Sequence, residues 1–148
     1  MNQHTSTAQS VGELYDRADA VFRAFWGDNV HLGMWHPDTH SLAEAAQNLN
    51  AFVADFAKIS AADVVCDIGC GYGAVAHDLF RRCGADVTGI TISYAQHQVA
   101  QQTAHDSVRF VHGDWLASGF PADSFSVLIA LESYAHMPSA SGFFSTCR

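Results

Sequence analysis

Two segments near the N-terminus carry apolar residues at the three- and four-residue spacing of an amphipathic helix. The first covers residues 11–26, and the second follows Ser41 and ends near Ser60. Ser41 and Glu44 form a capping box, which predicts that the second helix begins there. Residues 1–10 are polar and lack this spacing, so we expect them to form a disordered tail.

The pattern changes at residue 64, where short apolar runs begin to alternate with amphipathic segments. The runs predict strands and the segments predict helices. The strands are 64–68, 86–90, 108–111 and 125–131, and the helices are 74–83 and 93–104. Gly84 directly after the first of these helices is typical of a helix end. Alternating strands and helices indicate βαβ units, and therefore an α/β fold with a parallel sheet.

A glycine-rich loop follows the first predicted strand and precedes a helix. It reads DIGCGYG, with glycines at Gly69, Gly71 and Gly73. Glycines allow a tight turn and let a ligand approach bare backbone, and the amides of a helix N-terminus follow. Gly69, Gly71 and Ala74 also satisfy the looser dinucleotide fingerprint. The glycines alone therefore leave two ligands open, a dinucleotide and S-adenosylmethionine.

Asp67 favours S-adenosylmethionine over a dinucleotide. This carboxylate is expected at the carboxyl end of the strand, beside the ligand. It would repel a pyrophosphate, at a cost of about 1 kcal/mol or more in a partly buried site. S-adenosylmethionine carries a cationic amino group and a sulfonium and has no phosphate. In the structural alternative, Asp67 only caps the next turn and the glycines only shape the loop.

Several motifs resemble those of class I S-adenosylmethionine-dependent methyltransferases that act on small molecules. VCDIGCGYG resembles their first motif. VTGITIS at 87–93 is similar to the second-strand motif of the cyclopropane-fatty-acid-synthase, tocopherol and sarcosine/dimethylglycine methyltransferase groups. GDW at 113–115 and LESYAHMP at 131–138 resemble the motifs after strands three and four. WG followed by HLGMW at 31–35 resembles the entry segment.

The resemblance covers residues 11–148 and implies a Rossmann-like parallel sheet with strand order 3-2-1-4, a portion of a seven-stranded fold. Residues 11–60 would form an N-terminal helical lid, and residues 61–148 the N-terminal part of the cofactor-binding domain. A fourth strand this apolar would leave unpaired backbone groups along its outer edge. We therefore expect the chain to be part of a longer protein.

The resemblance also implies a cofactor site for S-adenosylmethionine at the strand ends. Its predicted residues are Asp67, Gly69, Gly71, Gly73, Thr91, Ile92, Gln96, Asp114 and Trp115. The three glycines would pass under the cofactor, with Asp67 near its methionine end. Asp114 would accept from the adenine amino group while Trp115 packs on the purine. The alternative for this pair is a turn aspartate followed by a core tryptophan.

The end of the second strand departs from the commoner pattern of this class. Many class I enzymes place an acidic residue there to bind the ribose, whereas this chain has Thr91 and Ile92. In the group with the VTGxTxS motif, Gln96 would bind the ribose instead. Ser93 and Gln96 also form a capping box for the second helix of the sheet region, so a purely structural role stays open.

Two side chains after the fourth strand are candidates for catalysis. Imidazole changes its charge near neutral pH, which makes His136 the first candidate for a general base. Glu132 is the competing base, or an anchor for a cationic acceptor. The aromatic-rich segment before residue 40 is expected to cover the site. A small apolar, aromatic or cationic acceptor suits such a lining.

The charge of the chain limits its partners. Fifteen acidic residues outnumber seven basic ones, and Lys58 is the single lysine, which gives a formal charge of −8. Such a surface disfavours nucleic acids and anionic membranes. No apolar run approaches the roughly 20 residues of a membrane span, so no integral membrane segment is expected.

The cysteines and histidines do not indicate a metal site. Four cysteines are too few for a disulfide scaffold and are interpreted as reduced thiols of a cytoplasmic protein. No second ligand pair occurs at zinc spacing, so no metal is predicted. Two other functions remain open: an NAD(P)-dependent oxidoreductase using the same loop, and a non-catalytic fragment that binds the cofactor.

Overall fold

The computed structural model describes residues 3–147, with side chains from residue 9 onward. Four parallel strands form one sheet in the order β3-β2-β1-β4, which confirms the predicted α/β fold and strand order. The strands are β1 (Val64–Ile68), β2 (Asp86–Thr91), β3 (Val108–His112) and β4 (Val127–Ile129). The helices are α1 (Gln3–Trp26), α2 (Leu42–Phe56), α3 (Ala74–Cys83), α4 (Tyr94–Gln101) and α5 (Ala140–Thr146).

The sheet is covered on both faces, as the continuous apolar runs of a parallel sheet require. Successive strand residues point to opposite faces. Val65 therefore joins the core on the side of α3, together with Leu79. Cys66 and Ile68 join the second core, which also contains Trp115. Asp67 shares the face of Val65.

The N-terminal helix is longer than predicted. It begins at Gln3, so the expectation of a disordered tail is wrong for residues 3–10, while residues 1–2 lie outside the described part. No glycine or proline interrupts residues 3–10, which can therefore extend the helix without an amphipathic pattern of their own. The helix α2 ends at Phe56 rather than near Ser60, because Lys58 adopts a left-handed backbone (φ 54°).

The fourth strand is shorter than the predicted 125–131. It pairs with β1 over three positions, from Val127 to Ile129. Beyond them, the carbonyl of Ile68 accepts a hydrogen bond from the hydroxyl of Ser133. The ladder therefore ends before Leu131. Helix α4 likewise ends at Gln101, three residues before the predicted end.

Candidate functional site

A cavity opens at the carboxyl ends of the strands. Ligands of open α/β sheets bind at this edge. Eight predicted site residues line it: Gly69, Thr91, Ile92, Gln96, Asp114, Trp115, Glu132 and His136. The lining also includes six residues that are not among the predicted site residues: Val11, Tyr15, Val30, Leu131, Met137 and Pro138. The described lining residues include no lysine or arginine.

The three glycines of the loop differ in why a side chain would be unfavourable at each position. All three have positive φ values. A Cβ on Gly69 would lie 2.3 Å from Cβ of Ser133, and one on Gly73 would lie 2.4 Å from the ring of Phe110. A Cβ on Gly71 would meet nothing within 4 Å. Packing therefore requires the first and third glycines, whereas Gly71 presents bare backbone to open space.

Asp67 lies deeper than predicted. It is 2% exposed, it pairs within the sheet opposite Gly89 and Ile129, and it does not belong to the cavity lining. Burial raises the pKa of its carboxyl to about 7, and its Oδ2 atom has no hydrogen-bond partner. Because it is the fourth of five strand residues, its side chain points into the core rather than out at the strand end.

The turn from β2 into α4 holds its polar groups by hydrogen bonds. The hydroxyl of Ser93 accepts from the backbone N–H of Gln96 at 3.2 Å, as the structural alternative predicts. The side chain of Gln96 does not turn back to Ser93. Its Oε1 accepts from the hydroxyl of Thr91 at 2.9 Å, which keeps the amide at the cavity wall.

Asp114 and Trp115 have the structural roles that the alternative predicts, and both also line the cavity. Oδ1 of Asp114 accepts from the N–H of Leu116 at 3.0 Å and so caps the short 3-10 turn Trp115–Ala117. Trp115 is 5% exposed and belongs to the second core. Both residues nevertheless line the cavity. A structural role and a place at the site therefore coexist here.

His136 is joined to α1 by a hydrogen bond that the sequence does not reveal. Its Nε2 lies 2.9 Å from the phenol oxygen of Tyr15, and the two rings meet edge to face. Burial, and secondarily the charge of Glu132, raises the pKa of Tyr15. The phenol therefore keeps its proton at neutral pH. In the sequence, Tyr15 is an apolar helix position in the aromatic-rich segment that is expected to cover the site, and no motif marks it as a binding or catalytic residue.

Glu132 connects the site to the entry segment. Its Oε1 accepts from the backbone N–H of Leu32 at 2.9 Å, and its own backbone is left-handed (φ 57°). Such a conformation is uncommon for a residue other than glycine, and it occurs often at functional sites. The carboxylate thus lies on the cavity wall with one oxygen already engaged.

The entry segment is fixed to α2 over part of its length. Gly33 (φ 76°) lies so close to Ala45 that a Cβ would come within 2.4 Å of its backbone, and Met34 N–H donates to the Ala45 carbonyl at 2.8 Å. Phe25 and Trp35, predicted to cover the site, are 64% and 55% exposed. From the N-terminal segment, Val11, Tyr15 and Val30 line the cavity.

Within residues 3–147, no three His, Cys, Asp or Glu side chains are grouped so that they could hold a metal ion. In the same part of the chain, no helix has the length and apolar character needed to cross a membrane. All four cysteines are free thiols.

Comparison with known proteins gives a consistent result. A family model described as a methyltransferase domain matches residues 65–148. The chain is 37% identical to "Methyltransferase GfsG" of Streptomyces halstedii over 139 residues, which is 88% of this chain and 50% of that protein. It is 35% identical to "27-O-demethylrifamycin SV methyltransferase" of Amycolatopsis mediterranei, over 89% of this chain and 50% of that one. The chain thus spans about half the length of these relatives.

A solved structure shows the same fold. Mycolic acid cyclopropane synthase CmaA1, crystallised with S-adenosylhomocysteine (SAH), superposes with a TM-score of 0.80 at 20% identity, over 99% of this chain and 53% of that chain. The family match supports the methyltransferase interpretation of the glycine loop over the oxidoreductase one. The chain belongs to the class I S-adenosylmethionine-dependent methyltransferase family.

Proposed function

We propose that this chain forms the cofactor-binding part of an enzyme that transfers a methyl group from S-adenosylmethionine to a small-molecule acceptor. One observation carries the proposal: a single cavity is lined by six of the nine predicted cofactor residues, all except Asp67, Gly71 and Gly73, and also by His136 and Glu132. The relative named for methylation of a demethylrifamycin supports a small organic acceptor.

The residues present fit the cofactor. Gly71 offers open backbone, and the described lining has acidic side chains but no lysine or arginine, which suits a cationic ligand without phosphate. Gln96 and Thr91, with the backbone at Ile92, would hold the ribose. Asp114 would accept from the adenine amino group, and Trp115 would pack on the purine. The cofactor supplies an already activated methyl group.

The methionine end would lie over the glycine loop, with Gly69 and Gly73 shaping its floor. Asp67 lies on the strand that leads into this loop, it is buried, and its Oδ2 has no hydrogen-bond partner. A cationic amino group above the loop would favour the charged form of this carboxyl. Asp67 would therefore act through the electrostatic field under the loop rather than by lining the cavity.

His136 would accept the proton of the acceptor nucleophile. Its Nε2 already contacts Tyr15, so the phenol fixes the orientation of the imidazole before an acceptor binds. Glu132 stays the alternative base, or an anchor for a cationic acceptor. The apolar walls formed by Val11, Val30 and Met137 favour an apolar or aromatic acceptor. The free thiols fit a reducing compartment such as the cytoplasm.

Calorimetric titration tests the cofactor assignment. SAH is expected to bind the chain, and NADH is expected to bind at least about a hundredfold more weakly, a difference of about 2.7 kcal/mol. Tighter binding of NADH would contradict the proposal and support the oxidoreductase alternative.

Transfer of labelled methyl groups to a panel of hydroxylated apolar compounds tests catalysis. His136→Ala should lower this transfer while SAH affinity stays within about twofold, because the imidazole would act on the acceptor and not on the cofactor. The matched control is His36→Ala, an exposed histidine of the entry segment. Binding of SAH without transfer to any acceptor would support the non-catalytic alternative.

A further inference from the structure

Helix α1 lies directly against the turn that leads into α4. Gly12 makes this close approach possible, since a Cβ there would lie 2.9 Å from the carbonyl oxygen of Ile92. A glycine inside a helix costs roughly 1 kcal/mol relative to alanine. The contact with Ile92 gives a physical reason for that cost in the middle of α1.

One carboxylate of α1 binds the N-terminus of α4. Oδ1 of Asp16 accepts from the hydroxyl of Ser93 at 2.6 Å and from the backbone N–H of Ala95 at 3.0 Å. The first N–H groups of a helix lack partners within the helix, and a negative charge at this end is favourable. Ser93 is fully buried and links Asp16 to Gln96, because its hydroxyl oxygen also accepts a hydrogen bond from the backbone N–H of Gln96.

The neighbouring residue of α1 contacts the opposite side of the site. Consecutive helix residues point about 100° apart. Asp16 therefore contacts α4, which carries Gln96, while Tyr15 contacts His136. A single turn of α1 bridges the cofactor side and the acceptor side of the cavity.

We propose that Asp16 is a positioning residue: by seating α1 on the N-terminus of α4 through Ser93 and Ala95, it holds Tyr15 at hydrogen-bond distance from His136. The consequence for catalysis rests on the function proposed above for His136. The coupling itself is a property of the chain alone, so it can be tested without an acceptor and without the cofactor.

The test follows the ring nitrogens of His136 by long-range ¹H–¹⁵N NMR of the labelled 148-residue chain at one fixed pH. His136→Asn assigns the signals, and Tyr15→Phe defines the shift caused by losing the phenol. Asp16→Ala is expected to move the Nε2 signal most of the way to its position in Tyr15→Phe. Ser93→Ala should move it in the same direction. Asp16→Asn keeps an accepting oxygen and should produce a smaller shift.

Glu13→Gln is the matched control, because Glu13 is also an acidic residue of α1 but pairs with Gln9 and Arg17 of the same helix. Its spectrum should equal that of the wild type. A wild-type His136 signal in Asp16→Ala, with a shifted signal in Tyr15→Phe, would overturn the proposal. If Asp16→Ala does not fold, Asp16→Asn and Ser93→Ala decide by the same criterion. Failure to bind SAH would contradict the proposed function and leave this coupling testable in the free chain.

Discussion

The phenol oxygen of Tyr15 lies 2.9 Å from Nε2 of His136 and so joins α1 to the loop after β4. This contact makes the N-terminal helix part of the site rather than a separate cover. It also gives the candidate base a hydrogen-bond partner that orients its ring, although His136 is itself exposed. The same tyrosine stacks on Phe22 at 5.0 Å between ring centroids, so its own position is supported within α1.

Tyr15→Phe is expected to lower the free energy of unfolding by about 1 kcal/mol, because His136 loses its hydrogen-bond partner while the ring packing is kept. Urea denaturation followed by circular dichroism measures this change. The control is Tyr94→Phe, which removes the hydroxyl of a tyrosine that is 56% exposed. Equal losses in the two variants would show that the Tyr15 hydroxyl makes no specific contribution.

The buried carboxyl of Asp67 is expected to make stability depend on pH. Its pKa is about 7 in the folded chain, above the roughly 3.9 of an unfolded aspartate. Between these values the folded state binds more protons than the unfolded state. The stability contributed by the protonated carboxyl is therefore full below about pH 4, falls as pH rises to about 7, and is constant above that.

Asp67→Asn should remove this dependence, because the amide stays neutral. Relative to the wild type, the variant is expected to gain a few kcal/mol of unfolding free energy at pH 8 compared with pH 5. Urea denaturation at both pH values measures the difference. Asp38→Asn, at an exposed position of the entry segment, serves as the control and should retain the wild-type slope. A wild-type slope in Asp67→Asn would show that other groups cause the dependence.

A double-mutant cycle tests the packing reason for Gly73. Gly73→Ala would bring a Cβ to 2.4 Å from the Phe110 ring at a left-handed backbone position, and should cost about 2–3 kcal/mol. In a Phe110→Leu background the same substitution should cost at least about 1 kcal/mol less, because the ring atoms it meets are gone. Thermal and urea unfolding of the four proteins give the coupling. Additive effects would mean that the ring is not what excludes a side chain.

The sequence predicts the sheet well because its signals are local. Each strand is a short segment rich in apolar and β-branched residues, and Gly84 ends α3 with a left-handed backbone as expected. The end of β4 is different, since it depends on a hydrogen bond from Ser133 to Ile68 that no local pattern encodes. Residues 3–10 are helical for a different reason. A helix can extend wherever glycine and proline are absent, and such an extension leaves no periodic pattern in the sequence.

The residues of the site also divide into those that a local motif predicts and those that depend on contacts between distant parts of the chain. Residues that belong to strand-end motifs, such as Gln96 and Asp114, line the cavity where the motifs placed them. Tyr15 and Asp16 could not be assigned, because their partners are far away in sequence and α1 has no motif of its own. The sequence predicts Asp67 beside the ligand, whereas in the structure its side chain is buried and does not line the cavity. Its position before the first glycine identifies the strand end but not the face to which its side chain points.

Gly71 and Gly27 form a matched pair that separates ligand binding from backbone strain. Both have positive φ values, 55° and 67°, and a Cβ on either would meet nothing within 4 Å. Alanine at either position should cost about 1 kcal/mol of stability through the left-handed backbone.

Only Gly71 lies in the loop where the cofactor is proposed to approach the backbone. Gly71→Ala should therefore weaken SAH binding by about tenfold or more, and Gly27→Ala by less than about twofold. Calorimetric titration with SAH measures both. Equal affinities in the two variants would place the ligand away from the glycine loop, since the strain is common to both and only the position differs.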